Sequence, residues 1–364
     1  MKLITTQGHL AKALSSVSRI VNPRGTLSVL GNVLLETKDG RLRVSATNLE
    51  LGIDYFIGAK IEKPGSITVP ARLITDYVNN LTEEKLELSV KDSALHLAST
   101  GATSSINGIA SSEFPVIPEV KGGKSVTLSG SGIKDVIQKV AIAASPDETR
   151  PILSGVLFHF KDKELKVAAT DSYRLAELTM RFEKAAAEEV KVAVPAKALA
   201  ELGRVVESGE VKVRAAENQV QFETDSVRIV SRLLEGEFPN YEQIIPKKLT
   251  TKAVVDRKEL MNKVRITSLF SEDAGFGVSL SFTAPGKVEV AAQAAQVGDS
   301  HASLSGKVSG SANQASFNAR YLLDGLAALS SQTVSIETEG KLSPCVITGD
   351  KEKDYLYVIM PLRV

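Results

Sequence analysis

One strand-like segment occurs three times along the chain at a fixed interval. Residues 44–48 read VSATN, residues 167–171 read VAATD and residues 290–294 read VAAQA, so each copy begins 123 residues after the one before. Repeats of roughly 20 to 50 residues indicate solenoids or propellers, whereas a repeat of this length has the size of a domain. A chain of 364 residues is long enough for two or three domains. The spacing therefore predicts a tandem array of similar domains.

Each copy of the segment closes a predicted β-hairpin. The three hairpins span residues 32–47, 155–170 and 277–293, and their polar tips read KDG, KDK and APG. Apolar residues alternate on both sides of each tip, which is typical of two strands joined by a turn. The hairpins predict antiparallel sheets.

Two amphipathic helices are predicted in each copy, because apolar residues recur there at helical spacing. The six helices are predicted at residues 9–20, 72–81, 131–143, 197–207, 257–270 and 320–329. Many strands and few helices predict an α+β fold with helices packed on one face of antiparallel sheets. Linker-like segments at KGGK and PKKLTTK place the predicted domains at residues 1–121, 122–247 and 248–364.

The chain lacks the motifs of common enzymes. No G-x-x-x-x-G-K loop occurs, and the four histidines have no His or Cys partner at metal-binding spacing. Asp171 and Arg174 could act as a catalytic pair, but a surface ion pair or a turn-capping aspartate is the simpler interpretation. The single cysteine, Cys345, is interpreted as a small core residue. We therefore predict a protein that is not an enzyme and has no metal or cofactor. The alternative is an enzyme whose catalytic residues are dispersed along the sequence.

The predicted helices are more basic than the rest of the chain. They contain twelve Lys and Arg residues and six Asp and Glu residues, although the net charge of the chain is only +1. Ordinary solvated helix faces would explain this bias, and so would a helix layer facing a polyanion. The second interpretation favours contacts with phosphates that carry no sequence information. Aromatic residues are 5% of the chain and Trp is absent, which argues against stacking of unpaired bases.

No apolar run approaches the length of a membrane span, and the start of the chain lacks a signal-peptide core. A cytoplasmic location is therefore expected.

The order of several segments resembles the bacterial β sliding clamps, the beta subunits of the replicative DNA polymerase III holoenzyme. The resemblance covers residues 1–364 and is carried by TLSVLGNVLLE (26–36), ITVPAR (67–72), RPILSGVLF (150–158), AATDSYRLAEL (168–178), GEFPNYEQIIP (236–246) and YVIMPLRV (357–364). It implies three DNA-clamp domains, with two chains joined head to tail in a closed homodimeric ring around duplex DNA. Such a ring would tether the replicative polymerase as a processivity factor. A scaffold of duplicated domains that never encircles DNA is the alternative.

The resemblance also implies three sets of functional residues. The expected DNA-binding residues, which include basic residues of the predicted helices, are Arg24, Arg72, Arg150, Lys197, Lys12, Lys134, Lys139, Arg204, Lys258 and Lys263. A pocket for short peptides of polymerases, the clamp loader and repair proteins is expected from Leu153, Thr170, Ser172, Tyr173, Arg174, Leu175, Pro239, Ile244, Asn318, Tyr321, Val358, Ile359, Met360, Pro361, Leu362 and Arg363. The dimer interface is expected to include Ile106, Leu269 and Phe270. Ser172-Tyr173 stands where the family commonly has Gly-His, so we expect a different peptide preference.

Overall fold

The structure is a computed structural model that describes residues 1–22, 27–82, 84–147, 149–182, 189–206, 208–216, 218–271, 276–283, 286–296 and 298–363. Within these residues the chain forms six α-helices and twenty-five β-strands. Each pairing between these strands is antiparallel. The predicted α+β class is confirmed.

All six predicted helices are present. They are α1 (Gln7–Val17), α2 (Ala71–Asn79), α3 (Gly130–Asp135), α4 (Ala196–Val205), α5 (Arg257–Ser268) and α6 (Ala319–Ala328). Helices α5 and α6 begin where the sequence supplies a side-chain cap, since Asp256 Oδ1 accepts the Glu259 N–H at 2.9 Å and Asn318 Oδ1 accepts the Arg320 N–H at 2.9 Å. The third helix is shorter than predicted, because after Asp135 it passes into a π-helical turn (136–140) and a 3₁₀ turn (141–143).

The strands follow the repeat. The first copy contains β1 (Lys2–Thr6), β2 (Asn32–Lys38), β3 (Arg41–Thr47), β4 (Leu51–Gly58), β5 (Lys60–Lys63), β6 (Ser66–Pro70), β7 (Lys85–Lys91), β8 (Ala94–Ala98) and β9 (Thr103–Asn107). The second contains β10 (Lys124–Ser129), β11 (Gly155–Lys161), β12 (Glu164–Thr170), β13 (Arg174–Arg181), β14 (Val190–Pro195), β15 (Glu210–Ala216), β16 (Gln219–Glu223) and β17 (Val227–Arg232). The third contains β18 (Thr251–Asp256), β19 (Gly277–Thr283), β20 (Lys287–Ala294), β21 (Gly298–Gly310), β22 (Asn313–Asn318), β23 (Thr333–Thr338), β24 (Cys345–Gly349) and β25 (Glu352–Ile359).

The predicted hairpins are β2–β3, β11–β12 and β19–β20. In the first hairpin, Asp39 and Gly40 have φ values of 48° and 72°, and in the second Asp162 has a φ of 50°. Asp, Asn and Gly tolerate this left-handed conformation, which two-residue hairpin turns require. Local turn chemistry therefore explains why the hairpins could be located from the sequence.

The residues pack into two compact units. The first contains residues 1–133 and 197–233, and the second contains residues 134–196 and 234–364. Each unit takes part of the predicted central domain, because its strands join strands of the neighbouring copies. The predicted domain boundaries do not coincide with this division and remain a prediction.

Two sheets are built from the described residues of the first unit. One has the strand order β5-β1-β7-β8-β9, and the other has the order β10-β15-β16-β17-β4-β3-β2-β6. Strands of the first and second copies meet in the larger sheet at the β17–β4 pairing. There the buried Asp54 carboxylate accepts hydrogen bonds from the Arg228 guanidinium and from Ser45 Oγ, the latter at 2.5 Å. A buried ion pair therefore lies where the two copies join.

The described strands of the second unit form one sheet with the order β14-β11-β12-β13-β25-β24-β23-β18-β21-β20-β19-β22. Strands of the second and third copies meet at β13–β25, where Arg174 lies opposite Ile359 and Leu175 opposite Val358. Helices α5 and α6 pack side by side in this unit. The β13–β25 pairing brings the last residues of the chain beside the segment that follows VAATD.

Among the described residues, no helix is both long enough and apolar enough to cross a membrane. Cys345 is buried, as predicted for a core residue, and burial raises the pKa of its thiol to about 12.

Candidate functional site

A tight turn at Thr170–Arg174 connects β12 to β13 and is held by its own side chains. Thr170 Oγ1 donates to the Arg174 carbonyl at 2.7 Å and accepts the Ser172 N–H at 3.1 Å. Asp171 Oδ1 accepts the N–H groups of Tyr173 at 2.9 Å and Arg174 at 3.0 Å. Ser172 has a φ of 79°. These bonds fix the direction in which Ser172 and Tyr173 project.

The first copy of the repeat builds the same turn at Thr47–Leu51. Thr47 Oγ1 donates to the Leu51 carbonyl at 3.0 Å, and Asn48 Oδ1 accepts the N–H groups of Glu50 and Leu51. In the third copy, the polar ending is replaced by VAAQA, and β20 runs straight through it. The turn therefore follows from the Thr-Asx pair, whereas the residues that it presents differ between copies.

Arg174 forms the centre of a charged cluster. Its Nε donates to Asp171 Oδ2 at 3.0 Å, and its Nη1 donates to Asp324 Oδ2 on α6 at 2.5 Å. Burial would lower the Arg174 pKa, but Tyr357, Asp324 and Asp171 raise it above its ordinary value. The prediction of a turn-capping aspartate is confirmed. The prediction of a surface ion pair is wrong, because Asp171 and Arg174 are both buried. Arg174 is bonded to Asp324 of α6 and lies opposite Ile359 of β25.

Two tyrosine rings continue this cluster outward. The Arg174 guanidinium lies 4.3 Å from the centre of the Tyr321 ring, and the Tyr321 and Tyr173 rings are stacked with centroids 6.5 Å apart. Burial, followed by the charge of Asp171, raises the pKa of Tyr321. Tyr321 is therefore a neutral stacking group at neutral pH.

The C-terminal segment is held beside this stack. The Met360 N–H donates to the Tyr173 carbonyl at 2.8 Å, and the Leu362 N–H donates to the Ser316 carbonyl at 2.7 Å. These bonds extend the order of β25 beyond its end at Ile359. Apolar residues of the tail are consequently placed next to Tyr173.

An apolar floor lies under the same region. Leu175, Val358 and Tyr241 pack with Leu157 and Ala168 in one buried cluster. Burial, with a further contribution from Glu177, raises the pKa of Tyr241. Ile244 is 37% exposed, so it presents apolar surface to solvent instead of lying in the core. Leu175 and Val358 of this cluster lie opposite each other where β13 pairs with β25, the strands that carry Arg174 and the C-terminal tail. Apolar residues near an aromatic and charged wall are typical of sites that bind short peptides.

The expected pocket residues lie on a small number of elements of the second unit. Leu153 is on the 3₁₀ turn before β11, and residues 170–175 form the turn and the start of β13. Pro239 and Ile244 are in the segment after β17. Asn318 and Tyr321 are at the start of α6, and residues 358–363 form the end of β25 and the tail. Direct contacts join the turn, α6 and the tail. The role of each residue in peptide binding remains a prediction.

Sequence reasoning missed Asp324, Tyr357 and Gly325, which support this site. Asp324 lies one helical turn after Tyr321, so the i,i+3 spacing on α6 was an available signal. The Tyr357 hydroxyl donates to the Tyr321 carbonyl at 2.8 Å. A Cβ atom added to Gly325 would lie 2.4 Å from the Tyr357 ring, so only glycine allows this approach. No local pattern in the sequence indicates the contacts of Tyr357 and Gly325.

The expected DNA-binding residues lie mainly on helices. Those with exposed side chains are Lys12 on α1, Arg72 on α2, Lys197 and Arg204 on α4, Lys258 on α5 and Arg150 in the loop before β11. Lys134, Lys139 and Lys263 are partly buried. Lys139 Nζ lies 2.8 Å from Glu352 Oε1, and Arg150 Nη1 donates to Ser172 Oγ at 3.1 Å. Arg24 lies outside the described residues.

The residues expected at the dimer interface differ in exposure. Leu269 follows α5 and is 63% exposed, Phe270 is partly buried, and Ile106 is buried within β9. Strand β9 is at the edge of its sheet as far as the structure describes the chain.

Three comparisons relate the whole chain to known proteins. The DNA polymerase III beta subunit profiles for the N-terminal, central and C-terminal domains match residues 1–118, 127–240 and 242–363. A beta sliding clamp of Synechocystis sp. is 33% identical, with both chains fully covered.

Solved structures of sliding clamps are also similar to this chain over its whole length. A DNA polymerase sliding clamp from Bacillus subtilis superposes with a TM-score of 0.96 at 26% identity, covering 100% of this chain and 99% of the other. A sliding clamp from Bartonella birtlesii bound to griselimycin has a TM-score of 0.95 at 30% identity, with both chains fully covered. The three-domain match and the full-length identity together show that this chain belongs to the DNA polymerase III beta subunit family, the β sliding clamps.

Proposed function

We propose that two copies of this chain close head to tail into a ring around duplex DNA and tether the replicative polymerase to it. The observation that carries this proposal is the match of all three family domains, in order, to a chain whose repeats share one fold. A ring retains DNA by topology, so it requires neither a catalytic site nor sequence recognition. We accordingly propose a non-enzymatic protein that acts on DNA in the cytoplasm, with clamp domains at residues 1–121, 122–247 and 248–364.

Unpaired strand edges support ring closure. In the part of the chain that the structure describes, β9 pairs only with β8, and residues 298–305 of β21 pair only with β20. An exposed edge presents a row of unsatisfied N–H and C=O groups, which a second chain can pair. Joining β9 of one copy to β21 of the other would be a head-to-tail contact that closes after two chains. The exposed Leu269 beside α5 supplies apolar surface for that interface.

The basic helix residues support non-specific contact with phosphates. Lys12 and Arg72 lie on α1 and α2, which pack together, and Lys258 lies on α5. Contacts of this kind carry no base information and permit sliding. We propose that these residues, with the other expected basic positions, face the DNA in the assembled ring.

The turn and the C-terminal tail support a peptide site. Tyr173, Tyr321 and Arg174 form one wall, Leu175 and Val358 lie in the floor, and Met360 is fixed beside the wall. We propose that the replicative polymerase, the clamp loader and repair proteins insert short peptides here. Met side chains adapt to differing partners, which suits a site that several proteins share.

Retention on circular DNA tests the encircling function. Protein loaded on nicked circular DNA by a clamp loader should remain bound and should leave once the DNA is linearised. Release from circles and linear molecules at equal rates would contradict the ring and favour the non-encircling scaffold.

A second experiment tests the peptide site. The double substitution Met360→Ala and Leu153→Ala should weaken polymerase binding about tenfold or more, because both remove apolar contact area from the proposed site. The mass of the assembly in solution should be unchanged. Loss of the dimer in place of peptide binding would show that the pocket has been assigned to the wrong residues.

A further inference from the structure

Two leucines of the first copy occupy positions that form a polar contact in the second copy. At the 123-residue spacing of the repeat, Leu27 and Leu49 correspond to Arg150 and Ser172. In the second copy Arg150 Nη1 donates to Ser172 Oγ at 3.1 Å. In the first copy the corresponding side chains are apolar, and 49% of Leu27 and 51% of Leu49 are exposed. The first copy therefore presents apolar surface to solvent where the second copy has a hydrogen bond.

Leu49 is in a backbone conformation that leucine rarely adopts. Its φ is 77°, in the left-handed region, where Gly and Asn are common and a larger side chain is strained. Ser172 has a φ of 79° at the same place in the second copy, so the turn requires this conformation but does not require leucine. Strained residues of this kind are concentrated at functional sites. A binding role explains a half-exposed leucine here, whereas packing does not.

The backbone around Leu49 repeats the framework of the proposed peptide site. The Arg232 N–H donates to the Glu50 carbonyl at 2.9 Å, as the Met360 N–H donates to the Tyr173 carbonyl at 2.8 Å. The pairing of β17 with β4 that positions Arg232 lies within the first unit. The same framework therefore places Arg232 beside one turn and Met360 beside the other.

A groove of about 280 Å³ lies close to the turn that carries Leu49. Its apolar lining includes Leu34 and residues 114–117, and its volume is near the lower end of small-ligand sites, roughly 300 Å³. A Cβ atom added to Gly52 would lie 2.7 Å from the Ile117 side chain, so Ile117 packs directly on Gly52. Because Gly52 closely follows Leu49 in the chain, Ile117 connects the groove to the turn.

The groove also has a polar part with an unfilled hydrogen-bond position. Arg43 forms an ion pair with Glu36 there. Among the residues that the structure describes, Arg43 Nε is buried without a hydrogen-bond partner. Buried N–H groups are normally paired with an acceptor. The backbone carbonyl of an extended peptide in the groove would supply one.

We propose that this surface is a second binding site, which takes a short extended segment of a partner protein whose apolar side chain is flanked by a basic and an acidic residue. The inference goes beyond the proposed peptide site but rests on it for the kind of ligand that the shared framework holds. The apolar side chain lies on Leu27 and Leu49. The exposed Glu50 replaces Tyr173 and pairs with the basic residue, and the exposed Arg232 pairs with the acidic one.

Selection from a random peptide library displayed on phage tests the site. The full-length protein captures the phage, which are then sorted by their binding to Leu49→Asn and to Tyr173→Ala. We expect one pool that is lost with Leu49→Asn and persists with Tyr173→Ala, enriched in an apolar residue between a basic and an acidic one. The absence of any such pool would overturn the inference. The absence of a pool that depends on Tyr173 would instead count against the proposed peptide site.

One selected peptide tests the contacts by fluorescence anisotropy. Leu49→Asn should weaken binding about tenfold or more, because it removes apolar contact area. Glu50→Lys should weaken it about two- to fivefold, and replacing the basic residue of the peptide by Glu should restore the loss. Leu342→Asn is the matched control and should have no effect, since Leu342 is 62% exposed in the turn before β24, outside the site. Failure of the charge exchange to restore binding would refute the pairing with Glu50.

Thermal unfolding and light scattering distinguish this binding role from a structural one. Leu49→Asn should keep or raise the midpoint of thermal unfolding, because asparagine adopts the left-handed conformation with less strain. The mass of the assembly should be unchanged. A lower midpoint would show that Leu49 serves the fold, and a changed mass would show that the leucines join copies of the chain. Either result would overturn the proposal.

Discussion

At the scale of single residues, equivalent positions of the repeat carry different chemistry. Asp54 lies opposite Ser45 in the first copy, and Glu177 lies opposite Ala168 at the matching place in the second. On its other side Asp54 pairs with Arg228, whereas Glu177 has Leu356 as its neighbour. The buried carboxylate at this position therefore forms an ion pair where copies one and two join, as Asp54. Where copies two and three join, the equivalent Glu177 lies beside an apolar residue.

Removing one partner of the Asp54–Arg228 pair should be costly. Asp54→Ala leaves the Arg228 guanidinium buried without its carboxylate, and we expect a loss of about 3 to 5 kcal/mol in the free energy of unfolding. Chemical denaturation measures this loss. Glu289→Ala is the control, because the Lys287–Glu289 pair is exposed and should contribute little to stability. Equal effects of the two substitutions would contradict the importance of burial.

Glu352 should make stability depend on acid pH. Burial would raise its pKa, but hydrogen bonds from Lys139 and Ser331 outweigh burial and lower the pKa from 4.5 to about 2. A carboxyl whose folded pKa is depressed stabilises the fold above its unfolded pKa, and this contribution disappears as the pH falls to about 2. Glu352→Gln should therefore cost roughly 2 kcal/mol at neutral pH and almost nothing near pH 2. Thermal unfolding across this range, compared with the wild type, provides the measurement. A constant difference at all pH values would refute this explanation.

At the scale of elements, the contact of α6 with β25 depends on a glycine. Gly325 in α6 faces the Tyr357 ring so closely that any larger side chain must displace it. In α1, by contrast, a Cβ atom added to Gly8 would have no neighbour within 4 Å. Close packing therefore requires glycine at position 325 but not at position 8, and the sequence pattern alone does not distinguish the two.

We expect opposite results from alanine at these two glycines. Gly325→Ala should destabilise the protein by about 1 to 3 kcal/mol, because the added methyl group overpacks the α6–β25 contact. Gly8→Ala should leave stability unchanged or raise it by up to about 1 kcal/mol, because alanine has the higher helix propensity. Thermal unfolding of both variants checks this. A stabilising Gly325→Ala would show that α6 can move away from Tyr357 without penalty.

At the scale of the whole molecule, ring assembly should depend on the exposed apolar surface after α5. Leu269→Asp with Phe270→Asp places two charges in the proposed interface, where burying them without partners is unfavourable. We expect light scattering to give the mass of two chains for the wild type and of one chain for this variant. Polymerase binding at the proposed peptide site should persist, because that site lies on other elements. A variant that remains dimeric would place the interface elsewhere.

Helices, hairpins and the Thr170–Arg174 turn were predictable because each depends on neighbouring residues. Apolar spacing determines which face of a segment is buried, and Asp or Gly at a tip allows the left-handed backbone of a turn. The end of α3 was predicted less well. Its apolar spacing continues past Asp135, but the backbone changes to π and 3₁₀ turns that the spacing does not indicate.

The sequence by itself determined the threefold repeat, the α+β class and the single copy in which VAATD continues as TDSYR. Only the tertiary structure decided that Asp324 meets Arg174 across 150 residues and that Asp54 meets Arg228 across 174. It also decided that Lys139 meets Glu352 across 213 residues. The reason is physical: strand order and register place these pairs together, and many distant segments with similar alternation could pair in other ways. Local chemistry thus specifies each turn and strand, whereas the partners of the buried charges depend on how the sheets are joined.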